Sequence, residues 1–192
     1  MKINKTPCLS LAYLSVAVPL ISIAIATLLS DWFSITNNAL SDLGHATKSP
    51  VAPIFNFGLS LGGALIIYTS TLCIYKISKA FSVVGFLVGF TLILVAVFDE
   101  VYRGLHFAVS VAFFLSLAVF LIAYGIYFKS YLPLPALAVA VVAWVIHFAY
   151  DVPKGVAIPE LISVFATIPF YLDAVKRFQT DLLPALKGEG SA

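Results

Sequence analysis

Residues 9–29, LSLAYLSVAVPLISIAIATLL, decide the class of the fold. The run carries no charged side chain, and as a helix rising about 1.5 Å per residue it covers about 31 Å, enough to cross a hydrocarbon core of about 30 Å. It is longer than the roughly 7 to 15 apolar residues of a signal peptide, and similar runs follow it, so it reads as a retained first span. Pro19 is expected to kink it.

Five further runs follow, at about 53–75, 81–98, 105–128, 133–150 and 156–175. Pro53 suits the first turn of the second. Asp99 and Glu100 end the third, and Lys129-Ser130-Tyr131 before Pro133 separates the fourth from the fifth. Asp151-Val152-Pro153-Lys154-Gly155 is a turn before the sixth, which has Pro159 near its start and Pro169 near its far end. The pattern predicts one all-α domain, residues 1–175, an integral membrane bundle of six transmembrane helices. A polar, partly disordered tail, residues 176–192, is expected after it.

Composition agrees with a membrane as solvent. Hydrophobic residues make up 61% and charged residues 10%, against roughly 45 to 50% and 25% in soluble domains. The mean hydropathy is +1.05. The net charge of +2 comes from bases scattered in short loops, which gives nucleic-acid binding no support. Gly58/Gly62 and Gly85/Gly89 are small-xxx-small pairs that let helix backbones approach, so spans two and three are expected to pack closely. The two halves of the chain show no internal repeat, so an inverted-repeat transporter gains no support.

With a cytoplasmic N-terminus, the inner segments hold Lys2, Lys5, Lys76, Lys79, Lys129, Lys176, Arg177 and Lys187, eight of the 11 bases. Lys48, Arg103 and Lys154 remain outside. That bias in short loops places both termini in the cytoplasm. Cys8 and Cys73 then lie at the inner ends of spans, where a reducing compartment predicts free, apolar cysteines. Asn4-Lys5-Thr6 matches the glycosylation tripeptide on the inner side, where it is a chance match.

The same orientation gathers His45, His106, His147, Asp31, Asp42, Asp99, Glu100, Asp151 and Glu160 at the outer face. The longest polar interruption, residues 31–52, lies there too. Ser34 or Thr36 is expected to cap a short helix or turn over residues 34–44, ended by Gly44. His147 and Asp151 are four apart and would share a helix face as a carboxylate–histidine pair or a plain helix-end hydrogen bond. Asp99 and Arg103 would form a structural ion pair. Glu100 and His106 remain candidates for chemistry or coordination, and Glu160 either offsets a helix dipole or enters an outer pocket.

Three histidines with carboxylates would suffice for zinc, making His45, His106 and His147 the candidate metal ligands, though no local zinc signature is present. Ser41, beside Asp42 and four residues from His45, has the residue types of a nucleophile but no elbow motif. Trp32, Phe33, Trp144 and Tyr150 fit an interfacial aromatic belt.

The run Asn37-Asn38-Ala39-Leu40-Ser41-Asp42-Leu43-Gly44, with Ile54-Phe55-Asn56-Phe57-Gly58-Leu59, Gly62-Gly63, Glu100, His106 and Ile158-Pro159-Glu160, resembles domain-of-unknown-function family 998, prokaryotic six-span membrane proteins. The Ser-Asp-Leu-Gly element resembles, more weakly, the Frag1/DRAM/Sfk1 membrane proteins. The first resemblance implies a cell-membrane protein and a shared role for Ser41, Asp42, Asn56, Glu100, His106 and Glu160 in ligand binding. His147 and Asp151 lie outside its pattern.

Three functions stay open: an outer cavity holding a lipid headgroup or small polar ligand; a membrane-embedded hydrolase or lipid-modifying enzyme using Glu100, His106, His147 and Asp151; or a small transporter or accessory subunit. Membrane lipids are the expected partners, with a homo-oligomer or membrane complex as a further option. The cofactor is unknown, zinc being the one the residue types allow.

Overall fold

A computed structural model of the chain describes residues 8–188, with side chains described through Thr180. Asn4-Lys5-Thr6 and residues 189–192 of the tail lie outside that range. Six helices carry the fold: α1 (Cys8–Leu28), α2 (Ala52–Thr69), α3 (Lys79–Val97), α4 (Gly104–Tyr127), α5 (Pro133–Tyr150) and α6 (Ala157–Gly188). All six are long and apolar enough to cross a membrane, and no strand occurs among the described residues. The protein is an all-α, multi-pass membrane protein.

Local chemistry sets several ends. Ser78 caps α3 by accepting the Phe81 N–H (3.2 Å), and Pro133 sits in the first turn of α5, where its missing N–H costs nothing. A π-helical turn, Ser70–Ile74, extends α2. The sixth helix does not give way to a disordered tail at residue 176; it continues to Gly188. Its apolar stripe persists, since Ala174, Val175 and Phe178 are fully buried.

Consecutive helices pack side by side, and α6 also touches α1 and α4. The α4–α6 contact divides the bundle into two parts. In the first, glycine lets backbones meet. A Cβ on Gly62 would come 2.7 Å from Pro19 of α1, and one on Gly63 would lie 2.5 Å from the Gly89 carbonyl of α3. Gly58 likewise meets Ser22 of α1. The α2–α3 approach is therefore as expected, but the Gly58/Gly62 pair serves α1. In the second part, α4, α5 and α6 meet through large side chains and leave space between them.

We call the end bearing residues 29–51 the lid end and the opposite one the terminal end. Aromatic rings close the terminal end: Phe81 lies 5.3 Å from Phe120 and 5.2 Å from Phe178, and Tyr124 4.7 Å from Phe128, between centroids. Cys8 and Cys73, expected as free thiols, are joined there by a disulfide. The start of α1 and the π-helical turn bring their Cα atoms to 5.9 Å across 65 residues of sequence, a proximity that spacing cannot reveal.

Candidate functional site

The lid is built by its own polar side chains. Asp42 accepts hydrogen bonds from Ala39 N–H (3.0 Å) and Asn38 Nδ2 (2.9 Å), closing a 3-10 turn over Leu40–Gly44. Ala39, rather than Ser34 or Thr36, precedes that turn. Asn56 on α2 donates to the Gly44 carbonyl (2.8 Å). Only glycine fits at residue 44, because a Cβ would meet the Asn56 amide at 2.5 Å and the Phe55 ring at 2.7 Å. Asp42 and Asn56 thus hold the lid in place, and neither lines the two cavities described below. A second edge is fixed by backbone, with Gly155 N–H donating to Thr36 O (2.9 Å) and Ala157 N–H to Asn38 O (3.0 Å).

This fixed turn aims Ser41 and Leu40 at the bundle. Ser41 Oγ donates to Glu100 Oε1 (2.7 Å). Leu40 N–H donates to Glu160 Oε2 (2.7 Å) across 120 residues. Glu160 is only 8% exposed, and its Oε1 accepts no hydrogen bond from the described residues. His106, equally buried, places Nδ1 2.7 Å from the Phe98 carbonyl, Nε2 3.3 Å from Ser110 Oγ and Nε2 3.8 Å from Glu100 Oε1. A carbonyl only accepts, so Nδ1 carries the hydrogen, and in the neutral ring Nε2 is the base.

Ser41, Glu100, His106 and Glu160 share one cavity of about 910 Å³, bounded by α4, α5, α6 and the lid and open to the surface beside exposed Phe107, Leu115 and Phe148. Its ionisable groups sit at the lid end, with His45, Lys48 and Arg103 among them. Below them the walls are mostly apolar, with Phe107 and Phe114 on α4 and Leu137 and Trp144 on α5. Along α4 the lining runs from His106 to Leu121, and along α5 from Leu137 to Phe148. At about 1.5 Å per residue these stretches measure roughly 22 and 16 Å, more than half of a hydrocarbon core about 30 Å thick. A smaller cavity of about 130 Å³ lies across the α4–α6 contact, and Glu160 and Ser110 border both.

Other sequence candidates are not drawn together. His147 Nδ1 bonds the Pro153 carbonyl (2.8 Å) rather than Asp151, which is exposed and leaves α5 in the left-handed conformation (φ 53°). Asp99 makes no ion pair with Arg103; its carboxylate caps the next turn at Val101 N–H (2.8 Å) and reaches Ala46 N–H (3.3 Å). Arg103, with φ 47°, breaks the helix that would have aligned the two. The proposed zinc ligands His45, His106 and His147 do not converge: among the described residues no group of three His, Cys, Asp or Glu is placed to hold a metal ion.

Trp144, expected in the aromatic belt, lines the cavity and donates Nε1–H to Ser163 Oγ (3.0 Å). Ser110, one of the few polar residues the sequence offers towards mid-depth, also lines the cavity, and Ser163 and Thr167 are further lining residues that the sequence did not single out. The available signal was helical spacing, since Ser110 follows His106 by one turn and Ser163 follows Glu160 by nearly one.

A family model described as "Protein of unknown function (DUF998)" matches residues 13–172. No curated protein and no solved structure matches the chain.

Proposed function

The chain belongs to the DUF998 family of proteins of unknown function, and from the site alone we propose that it holds an amphipathic lipid. The head lies at Ser41, Glu100, His106 and Glu160, and the chain lies along α4, α5 and α6. One observation carries this reading: polar end and apolar wall are continuous within a single cavity of about 910 Å³, near the upper end of the roughly 300 to 1,000 Å³ typical of ligand pockets. Moving a hydrocarbon tail from bilayer to protein gains little, because lipid tails are already apolar surroundings. Selectivity therefore rests on the head, whose polar groups must find partners once taken from water. The aromatic packing at the terminal end favours holding over passage through the membrane.

A second reading, a lipid-modifying hydrolase, is favoured by His106. Its Nδ1–H is fixed on a carbonyl and its Nε2 faces Ser110 and Glu100, the geometry of a base oriented by a third group. One experiment separates the two. Lipid recovered from the detergent-purified protein is weighed by native mass spectrometry, wild type beside Ala140→Phe, which fills the apolar wall without touching the lid. Holding predicts an intact lipid on the wild type and none on the variant. Recovery of a cleaved lipid, restored to intact form in His106→Ala, favours the hydrolase, and an empty wild type sinks both.

A further inference from the structure

The charges facing the cavity are unevenly placed. The bases Lys48 and Arg103 are exposed at the lid end, whereas Glu160 is 8% exposed and the Glu100 side chain 27% exposed. Each carboxylate spends one oxygen on the lid, Glu160 on Leu40 N–H and Glu100 on Ser41 Oγ. The second oxygen of each has no donor among the described residues. Neither is met by Lys or Arg; the closest cationic candidate is His106, 3.8 Å from Glu100, whose ring is fixed by Phe98 and Ser110. Two carboxyl groups sharing a poorly solvated space disfavour a third anion, and a cation placed between them is what lets both ionise.

The walls beside them are suited to the same charge. Trp144 and Phe114 meet edge to face, 5.1 Å between centroids. The Trp144 indole is held by Ser163, three residues along α6 from Glu160, which sets the aromatic pair about one turn below the carboxylate. Aromatic faces attract cations, ammonium groups included. Carboxyl oxygens without donors that face the cavity, aromatic rings and an apolar groove together describe one kind of ligand.

Resting on the lipid-holding reading, we propose that the head this cavity takes is cationic: an ammonium nitrogen seated between Glu100 and Glu160, carried on an apolar chain that runs past Trp144. An amine-headed lipid and a free lipophilic amine share that chemistry.

The chain has two tryptophans, so Trp32→Phe leaves Trp144 as the sole reporter. Brominated-chain probes of equal length with ammonium, glycoside or sulfate heads, and a brominated phosphatidylethanolamine, are titrated in neutral detergent while Trp144 fluorescence is read. The ammonium probe is expected to quench at concentrations at least about tenfold below the glycoside, the scale of one charge-assisted hydrogen bond. Glu100→Gln and Glu160→Gln should remove that preference and leave glycoside quenching within about twofold. Both amides keep an oxygen for Ser41 or Leu40, and the wild-type preference decides the matter by itself should a variant not fold. Phosphatidylethanolamine matching the ammonium probe makes the occupant a lipid; ammonium alone makes it a free amine. Equal quenching by all heads, or a sulfate preference, overturns the cationic head and leaves the lipid cavity standing. No quenching by any probe overturns both.

Discussion

At the residue scale, Glu160 joins lid and bundle. Its Oε2 takes the Leu40 N–H inside a buried setting, so the cost of removing it depends on what replaces it. Glu160→Ala orphans that N–H and is expected to destabilise by about 1–3 kcal/mol, whereas Glu160→Gln keeps an acceptor and should lie within about 1 kcal/mol of wild type. Thermal unfolding in detergent checks this, and equal losses in both variants would refute the role of the hydrogen bond. Sequence placed Ser41, Glu100, His106 and Glu160 at one end of the bundle. It could not tell partners apart, because that depends on backbone dihedrals at single residues. Asp151 and Arg103 both turn to positive φ, and each turn dissolves a pairing that helical spacing would have made.

At the element scale, glycines divide into those that let helices touch and those that merely sit in one. Gly63 and Gly89 face each other's carbonyls, while a Cβ at Gly104 would meet nothing within 4 Å. Gly63→Ala must push α2 from α3 and is expected to cost about 1–3 kcal/mol. Gly104→Ala, by contrast, should be neutral or gain up to about 1 kcal/mol from helix propensity. Comparison of the two melting temperatures tests the packing, and equal shifts would contradict it. The sequence shows that small residues recur at helical spacing, but not which neighbour they serve. Gly58 and Gly62 face α1 because α2 is flanked on both sides, and a one-dimensional pattern cannot choose between flanks.

At the scale of the whole molecule, the bundle is tight where glycines and aromatic rings meet and open where α4, α5 and α6 carry large side chains around the cavity. The charge pattern predicts an orientation: with a cytoplasmic N-terminus, eight of the 11 bases of the sequence fall in inner segments, so a C-terminal alkaline phosphatase fusion is expected to be inactive in cells and a fluorescent-protein fusion bright. An active phosphatase fusion would reverse the orientation and put the Cys8–Cys73 bridge in an oxidising compartment, where such bridges persist. The sequence by itself determined the membrane as solvent, the six helices and the end at which polar groups collect, because burial of backbone in lipid leaves a long apolar helix as the local solution. Only the tertiary structure decided that Leu40 meets Glu160, that Ser41 meets Glu100 and that Trp144 faces a cavity rather than lipid. Those contacts join residues up to 120 apart, and their geometry is set by how helices pack and how loops turn, neither of which a periodic pattern encodes.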